Sequence, residues 1–224
     1  MNERLRIAVA SGKGGTGKTT IATNLAMVLG ESGVSTTYVD CDVEEPNGHL
    51  FLRPTINASR EVSTTVPQVD EALCTLCGAC GKACRYSAIV ALPQKLLTFP
   101  KLCHACGGCT LACPTGALRE VPRRTGVVEQ GESGPITFLQ GRLDVGEAMA
   151  PPVIRAVLDA APSEGLGVID APPGTSCPVI AAVKTADVVV LVTEPTPFGL
   201  NDLKLAVEMV RELGVPFGVI VNRA

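Results

Sequence analysis

The sequence contains no tryptophan, and aromatic residues make up only 3% of its 224 residues. Hydrophobic residues nevertheless account for 46% of the chain, so valine, isoleucine, leucine and alanine must fill the core. A chain of this length can form one large α/β domain, or one such domain carrying a small insert.

The chain also lacks an excess of basic residues: 19 Lys and Arg stand against 22 Asp and Glu, for a net charge of −3. We therefore expect no nucleic-acid partner, because such binding usually needs a basic face. No apolar run approaches the ~20 residues of a membrane span, and the N-terminus lacks the apolar stretch of a signal peptide. We expect a cytoplasmic protein without a transmembrane segment. In that reducing setting, ten cysteines are more plausible as metal ligands than as disulfides.

Five short apolar runs are typical of strands buried on both faces of a parallel sheet; they lie at 5–10, 36–40, 166–170, 188–194 and 217–222. Helical patterns lie between them. One ends at Gly33, and another begins near Asn201 as its cap and ends before Gly214. Strands alternating with helices predict an α/β fold with a doubly wound, mostly parallel P-loop sheet.

The middle of the chain breaks this alternation and holds eight of the ten cysteines. They form a repeat with a constant offset of 29 residues, in which Cys74, Cys77, Cys80 and Cys84 correspond to Cys103, Cys106, Cys109 and Cys113. We predict an inserted α+β domain at 61–124, between ATPase parts at 1–60 and 125–224. Residues 125–150 are expected to form a Gly-rich hairpin. We expect further chain after residue 224, because a doubly wound sheet rarely ends at such a strand.

The stretch from Gly12 to Thr19 reads GKGGTGKT and fits the phosphate-loop pattern G-x-x-x-x-G-K-[ST]. It follows a predicted strand and opens a predicted helix, as that motif requires, whereas a turn that only caps a helix is the alternative. Lys18 is expected to reach the β- and γ-phosphates of ATP, and the Thr19 hydroxyl to bind Mg²⁺. The predicted nucleotide-binding residues here are Gly12, Lys13, Gly14, Gly15, Thr16, Gly17, Lys18, Thr19 and Thr20.

The stretches SGKGGTGKTT, YVDCD at 38–42 and VIDAPPGTS at 168–176 resemble the deviant Walker A ATPases of the MinD/ParA/Mrp group. The resemblance implies that Lys13 reaches the partner's ATP across a nucleotide-sandwich dimer. It implies that Asp42 positions the attacking water, so the catalytic residues would be Lys13, Lys18 and Asp42.

The same resemblance places Asp40 near Mg²⁺ and makes Asp170 the Walker B aspartate, so the magnesium site would comprise Thr19, Asp40 and Asp170. It makes 172–174 part of switch II and brings Asn222 to the adenine. Independently of any family, open α/β sheets bind ligands at the carboxyl ends of their strands. Solvated loop carboxylates are the alternative for Asp40 and Asp42.

Each cysteine run has the spacing C-x₂-C-x₂-C-x₃-C, whereas four-cysteine zinc sites usually present two separate pairs. This is the spacing of bacterial ferredoxins, in which the fourth cysteine of each run ligates the other cluster. The sequence therefore predicts two 4Fe–4S clusters. Cluster 1 would use Cys74, Cys77, Cys80 and Cys113, and cluster 2 would use Cys84, Cys103, Cys106 and Cys109.

Three other residues could belong to these sites. Cys177 follows switch II and could be a reactive thiol, although a small buried residue is the favoured interpretation. Cys41 is expected to point into the sheet. His104 is expected to lie on the cluster surface rather than to bind iron.

The combination of motifs resembles MinD-superfamily ATPases with an inserted two-cluster ferredoxin domain, often labelled cobyrinic acid a,c-diamide synthases by analogy. By analogy with iron–sulfur ATPases, the leading hypothesis is a nucleotide-gated homodimer, or a heterodimer with a close paralogue, that couples ATP and Mg²⁺ to electron transfer toward an unidentified client protein. One alternative is an ATPase that assembles or carries iron–sulfur clusters. Another is a MinD/ParA-like positioning or scaffold ATPase whose clusters sense redox state.

The first cysteine run ends Cys84-Arg85 where the second ends Cys113-Pro114. A guanidinium beside a ligand of cluster 2 stabilises its more negative, reduced form, so we expect Arg85→Pro to lower the midpoint potential of that cluster alone. A potentiometric titration of both proteins tests this. If neither midpoint moves, Arg85 is a surface residue with no tuning role.

Overall fold

The computed structural model describes residues 5–224; residues 1–4, assigned from the sequence to the first ATPase part, lie outside this range. The chain forms two compact units. The first comprises residues up to Glu61 together with Gly126–Leu143 and Ala150–Ala224. The second comprises Val62–Thr125 and Asp144–Met149.

Residues 144–149 belong to the second unit, although the sequence assigned them to the second ATPase part. The reason is local: Glu147 forms a largely buried ion pair with Arg123, and the Asp144 N–H donates to the Thr125 carbonyl at 2.9 Å. These contacts tie the segment back to the second unit after the chain has left it.

The secondary structure follows the chain in an order typical of α/β proteins, with a run of short elements in the middle. The first elements are β1 (Leu5–Ala10), α1 (Lys18–Glu31), β2 (Thr36–Asp40), α2 (Gly48–Leu52), β3 (Thr55–Val69), α3 (Ala79–Ala83), β4 (Ile89–Ala91), β5 (Leu96–Thr98) and α4 (Gly108–Leu111). The remaining ones are β6 (Leu118–Ser133), β7 (Ile136–Leu143), α5 (Ala150–Ala160), β8 (Leu166–Asp170), α6 (Cys177–Val183), β9 (Val188–Thr193), α7 (Pro197–Glu212) and β10 (Phe217–Val221).

Eight strands form one sheet in the order β10-β9-β1-β8-β2-β7-β6-β3. Neighbouring strands from β10 to β7 run parallel, and β6 and β7 pair antiparallel. The predicted mostly parallel α/β fold is therefore confirmed for the first unit. All five predicted strands are present, and the expected hairpin is β6–β7, which forms part of the main sheet itself.

The core of the first unit places two of the few aromatic rings at its centre. Tyr38 and Phe138 are fully buried and stack with their ring centroids 5.6 Å apart. Buried alanines of α1, Ala22 and Ala26, pack against the same cluster, so the helix lies close to the sheet. Small residues on α1 thus replace aromatic bulk in filling this layer.

Helix α7 begins earlier than the sequence indicated. Its N-cap is Thr196, whose hydroxyl accepts from the Gly199 N–H at 3.0 Å, and Pro197 occupies the first turn. Asn201 therefore lies inside the helix and is not its cap. A threonine followed by proline is the stronger start signal, because proline needs no hydrogen-bond acceptor in the first turn. Within residues 5–224, no helix is both long and apolar enough to cross a membrane.

The second unit repeats its backbone as it repeats its cysteines. Gly78 and Gly107, each preceding a short helix, have φ angles of 76° and 70°. Leu76 and Ala105 have φ angles of 54° and 53°, and Ser87 and Gly116 have 53° and 66°. Each pair is separated by the same offset as the cysteines, so left-handed residues recur at three matching positions. The duplication in sequence is thus a duplication of local structure.

Candidate functional site

The loop between β1 and α1 turns tightly at its glycines. Gly15 and Gly17 have φ angles of 82° and 91°, which side chains with a Cβ rarely adopt. At Gly12 a Cβ would lie 2.2 Å from the Asp202 carbonyl oxygen, so only glycine fits there. The loop delivers the chain directly to the N-terminus of α1 at Lys18. This arrangement suits an anion, because the first N–H groups of a helix have no partner within it.

A buried ion pair joins the loop to the end of β8. Lys18 Nζ donates to Asp170 Oδ1 at 2.5 Å, and the Tyr38 hydroxyl donates to Asp170 Oδ2 at 2.8 Å. All three side chains are buried. Burial, followed by the charge of Asp170, raises the pKa of Tyr38 well above its usual range. No motif in the sequence marks Tyr38 as a site residue, although it begins the YVDCD stretch.

Asp40 lies beside Asp170 in the register of β2 and β8 and is fully buried. Its carboxylate accepts from the backbone N–H of Asp42 at 3.1 Å and of Gly48 at 2.9 Å. Burial, reinforced by the charge of Asp170, raises the pKa of Asp40 to about 7. Burial likewise raises the pKa of Asp42 to about 6. A divalent cation would relieve this repulsion, since hard cations prefer carboxylate and hydroxyl oxygens.

Lys13 forms an ion pair within its own chain. Its Nζ donates to Glu194, which follows β9, and Arg223 Nη1 lies 3.6 Å from the other oxygen of the same carboxylate. The hydrogen bond from Lys13 lowers the pKa of Glu194. Glu194 was not among the site residues predicted from the sequence. A polar residue directly after an apolar strand, at the edge where the other site carboxylates lie, was the available signal.

Asn222 contacts the phosphate loop, whereas Thr20 lies in the first turn of α1. The Asn222 side-chain amide donates to the Thr16 carbonyl at 2.8 Å, so it braces the loop backbone. A Cβ at Gly17 would lie 2.3 Å from that amide nitrogen, which explains a second constraint on this glycine. Thr20 is exposed on α1, and its carbonyl accepts from Asn24.

The segments that follow β2 and β8 line an open cavity of about 410 Å³. Asp42 lies on one side of it and Pro172 and Pro173 on the other, while the Gly174 N–H donates to the Ser11 carbonyl at 2.9 Å. Cys177 is exposed at the first position of α6, so the expectation of a small buried residue there is wrong. Cys41 is fully buried, as expected.

Two cavities in the second unit are each lined by four cysteines. The first is lined by Cys74, Cys77, Cys80 and Cys113. The second is lined by Cys84, Cys103, Cys106 and Cys109. Each cavity combines three cysteines of one run with the last cysteine of the other run. All eight carry free thiols.

These cavities suit an iron–sulfur cluster better than a single ion. Within residues 5–224, no three His, Cys, Asp or Glu side chains converge on one point suited to a metal ion. A cube of four irons separates its thiolates, because the cube itself lies between them. The cavity walls are largely apolar, with Leu76, Leu96 and Leu118 at the first, and soft thiolates are the ligands such clusters take.

Several groups contact the cysteine sulfurs directly. The Ala88 N–H donates to Cys84 Sγ at 3.3 Å, and the Ala105 N–H donates to Cys103 Sγ at 3.4 Å. His104 stacks on Tyr86, with ring centroids 3.5 Å apart. The Arg85 side chain is exposed, so solvent and salt screen its charge.

The raised pKa of Asp40 makes stability depend on pH. Its proton is held up to pH 7 or so in the folded chain, while an unfolded carboxyl loses it near 3.8. The unfolded state therefore binds fewer protons between these values, and the free energy of unfolding falls as pH rises through them. In Mg²⁺-free buffer, Asp40→Asn should flatten this fall by about 1 kcal/mol or more, measured by denaturant unfolding across that range. Asp159→Asn, on the exposed face of α5, is the control; equal slopes in all three proteins would contradict the prediction.

Comparison with known proteins agrees with the fold and the loop. Residues 7–224 match the family described as the CobQ/CobB/MinD/ParA nucleotide binding domain, CbiA. The chain is 34% identical over 222 residues to the uncharacterized protein MJ0578 of Methanocaldococcus jannaschii, covering 98% of this chain and 78% of that one. It is 27% identical over 226 residues to an iron-sulfur cluster carrier protein of Aquifex aeolicus, covering 97% of this chain and 47% of that one.

Among solved structures, the septum site-determining protein MinD of Pyrococcus horikoshii, complexed with Mg-ADP, is similar with a TM-score of 0.56. The similarity covers 98% of this chain and 70% of that one, at 22% identity. At 22% identity, this structural similarity establishes the fold alone, whereas the match of residues 7–224 to the family establishes the family. The chain belongs to the CobQ/CobB/MinD/ParA family of P-loop nucleotide-binding proteins, the MinD/ParA-type ATPases.

Proposed function

We propose that this protein is an ATPase that controls electron transfer through two 4Fe–4S clusters held in its second unit. The observation that carries the proposal is the crossed arrangement of cysteines in two cavities, within a chain that also has a phosphate loop. When bound, the clusters would supply one-electron carriers. The residues of this chain would bind the nucleotide and the metal ion, and its cysteines would supply the thiolate ligands of the clusters.

The nucleotide site is supported by the buried partners of the loop. Lys18 and Thr19 are the first two residues of α1, so both lie at the helix N-terminus that would receive the phosphates. Asp40 and Asp170 lie on adjacent strands and would hold Mg²⁺ with the Thr19 hydroxyl. The Mg-ADP bound to the similar MinD structure is consistent with this assignment.

Hydrolysis would need Asp42 and Lys13 in addition. Asp42 is half-buried beside the Lys18 charge, and a raised pKa suits a group that handles a water proton near neutral pH. Lys13 pairs with Glu194 in its own chain, so reaching a second copy's nucleotide requires it to exchange that carboxylate for phosphate. Because we propose that Lys13 reaches the nucleotide of a second copy, we also propose that the chain forms a homodimer or a pair with a close paralogue.

The chain connects the nucleotide site to the cysteine unit by a short path. Asp40 accepts from the N–H of Gly48, the first residue of α2, and α2 leads into β3. Residues 62–69 of β3 already belong to the second unit, and Cys74 follows soon after. Binding of Mg²⁺ by Asp40 would therefore act on the segment that enters the cysteine unit.

Iron counting after anaerobic purification tests the two-cluster assignment. We expect about eight irons per chain, and about four in Cys113→Ala or Cys84→Ala, since each removes one ligand of a different cluster. Cys177→Ala, an exposed cysteine outside the second unit, is the matched control and should keep the full complement. Loss of all iron in both ligand variants would leave the crossed assignment unsupported, and a wild-type chain without iron would remove the proposed function.

Nucleotide control is tested by measuring electron transfer from the reduced protein to a one-electron acceptor with ATP and Mg²⁺, with ADP, and without nucleotide. We expect ATP to change the rate of electron transfer at least several-fold, or to shift the midpoint potentials by a resolvable amount. Lys13→Ala should still bind nucleotide but lose this response, together with ATP-dependent dimerisation seen in sedimentation. Identical rates and midpoint potentials in all three states would contradict the proposed control of electron transfer by nucleotide.

A carrier of iron–sulfur clusters is the second candidate. It is favoured by the similarity to the Aquifex aeolicus iron-sulfur cluster carrier protein. The two roles differ in what leaves the protein, because a carrier releases iron and sulfide together, whereas an electron carrier retains them. Incubation of the loaded protein with an apo-ferredoxin and a chelator distinguishes them: rapid transfer of iron favours the carrier, and retention favours electron transfer.

A further inference from the structure

The two halves of the cysteine repeat have diverged at two positions that line their cavities. Thr75 and Thr115 line the first cavity. At the corresponding positions, with the same offset as the cysteines, the second cavity has His104 and Tyr86. Hydroxyl side chains next to one set of thiolates are thus replaced by aromatic rings next to the other set.

Only one of the two threonines approaches a sulfur. Thr115 Oγ1 lies 3.7 Å from Cys113 Sγ, which belongs to the first cavity. A thiolate ligand has no proton, so in the metal-bound form the hydroxyl must be the donor.

The corresponding ring in the other half makes a different contact. Tyr86 stacks on His104 with an angle of 10° between the rings. Cys84, which corresponds to Cys113 in the repeat, accepts a hydrogen bond from the Ala88 backbone N–H. Within residues 5–224, the structure shows no side-chain hydroxyl at hydrogen-bond distance from Cys84 Sγ. The two crossed cysteines, otherwise equivalent by the repeat, therefore differ in their donors.

Donors to a ligand sulfur stabilise the reduced cluster, which is the more negative state, and so raise its potential. We propose that Thr115 raises the midpoint potential of the cluster at Cys74, Cys77, Cys80 and Cys113, and so contributes to a difference between the two clusters. Thr115 acts through Cys113 and is a positioning and tuning residue. The inference rests on the proposed function, because it concerns clusters held at these cavities. Arg85 acts on the other site from an exposed position, where solvent and salt screen its charge.

The test uses the full chain, purified anaerobically, with iron counted before any potential is measured. Thr115→Val removes the hydroxyl and keeps the side-chain shape. We expect the midpoint of the cluster at the first cavity to shift to a more negative value, with the midpoint of the other cluster unchanged. Thr115→Ser should restore the wild-type value, since it returns the donor. Electron paramagnetic resonance during dithionite titration reads both clusters separately.

Three matched variants separate tuning from general disturbance. Thr75→Val removes a hydroxyl that lines the same cavity without a sulfur contact, and Tyr86→Phe removes the hydroxyl at the corresponding position of the other half. Both should leave the midpoints unchanged. Cys113→Ala, which removes the first site's fourth ligand, identifies which wave belongs to which cluster.

The outcomes of this test and of the proposed function are distinct. A chain that binds no iron fails the proposed function and, with it, this inference. A chain with two clusters keeps the proposed function, but the inference is overturned if Thr115→Val moves neither midpoint, moves both equally, or moves only the cluster held by Cys84. A shift that Thr115→Ser does not reverse would also overturn it.

Discussion

The buried ion pair between Lys18 and Asp170 is the contact on which the nucleotide site depends. It joins the end of the phosphate loop to the end of β8, and Tyr38 supplies a hydrogen bond to the second carboxylate oxygen. All three side chains are buried, so removal of one leaves a buried polar group without its partner. This lowers the stability of the fold more than removal of one partner of an exposed pair would. Asp40 beside Asp170 adds a second carboxylate whose charge is disfavoured. The site is thus built to receive both an anion and a cation.

The cysteine unit depends on a different constraint, the pairing of residues far apart in the chain. Cys113 joins the cavity of the first run, and Cys84 joins that of the second. Neither run encloses a four-cysteine cavity by itself. Residues with left-handed backbone conformation recur at matched positions, so both halves of the repeat follow the same backbone course. Divergence at Thr115 and Tyr86 then lets two similar sites differ in their surroundings.

Several predictions from sequence were wrong or incomplete for identifiable reasons. The cap of α7 was placed at Asn201, because the apolar period was followed without weighing Thr196-Pro197. Residues 144–149 were assigned by linear position, whereas a buried ion pair between Arg123 and Glu147 decides their unit. Cys177 was expected to be buried from its residue type, but the start of α6 exposes it. In each case a contact or a cap outweighed the pattern of residue types.

The sequence by itself determined the mostly parallel α/β fold, the phosphate loop and the spacing of the eight cysteines, because periodicity and motif spacing are local properties. Tertiary structure alone decided that Lys13 pairs with Glu194 and that the Tyr38 hydroxyl donates a hydrogen bond to Asp170. These contacts join residues from separate strands or turns. Their distances depend on how the elements pack, which no local pattern of residues encodes.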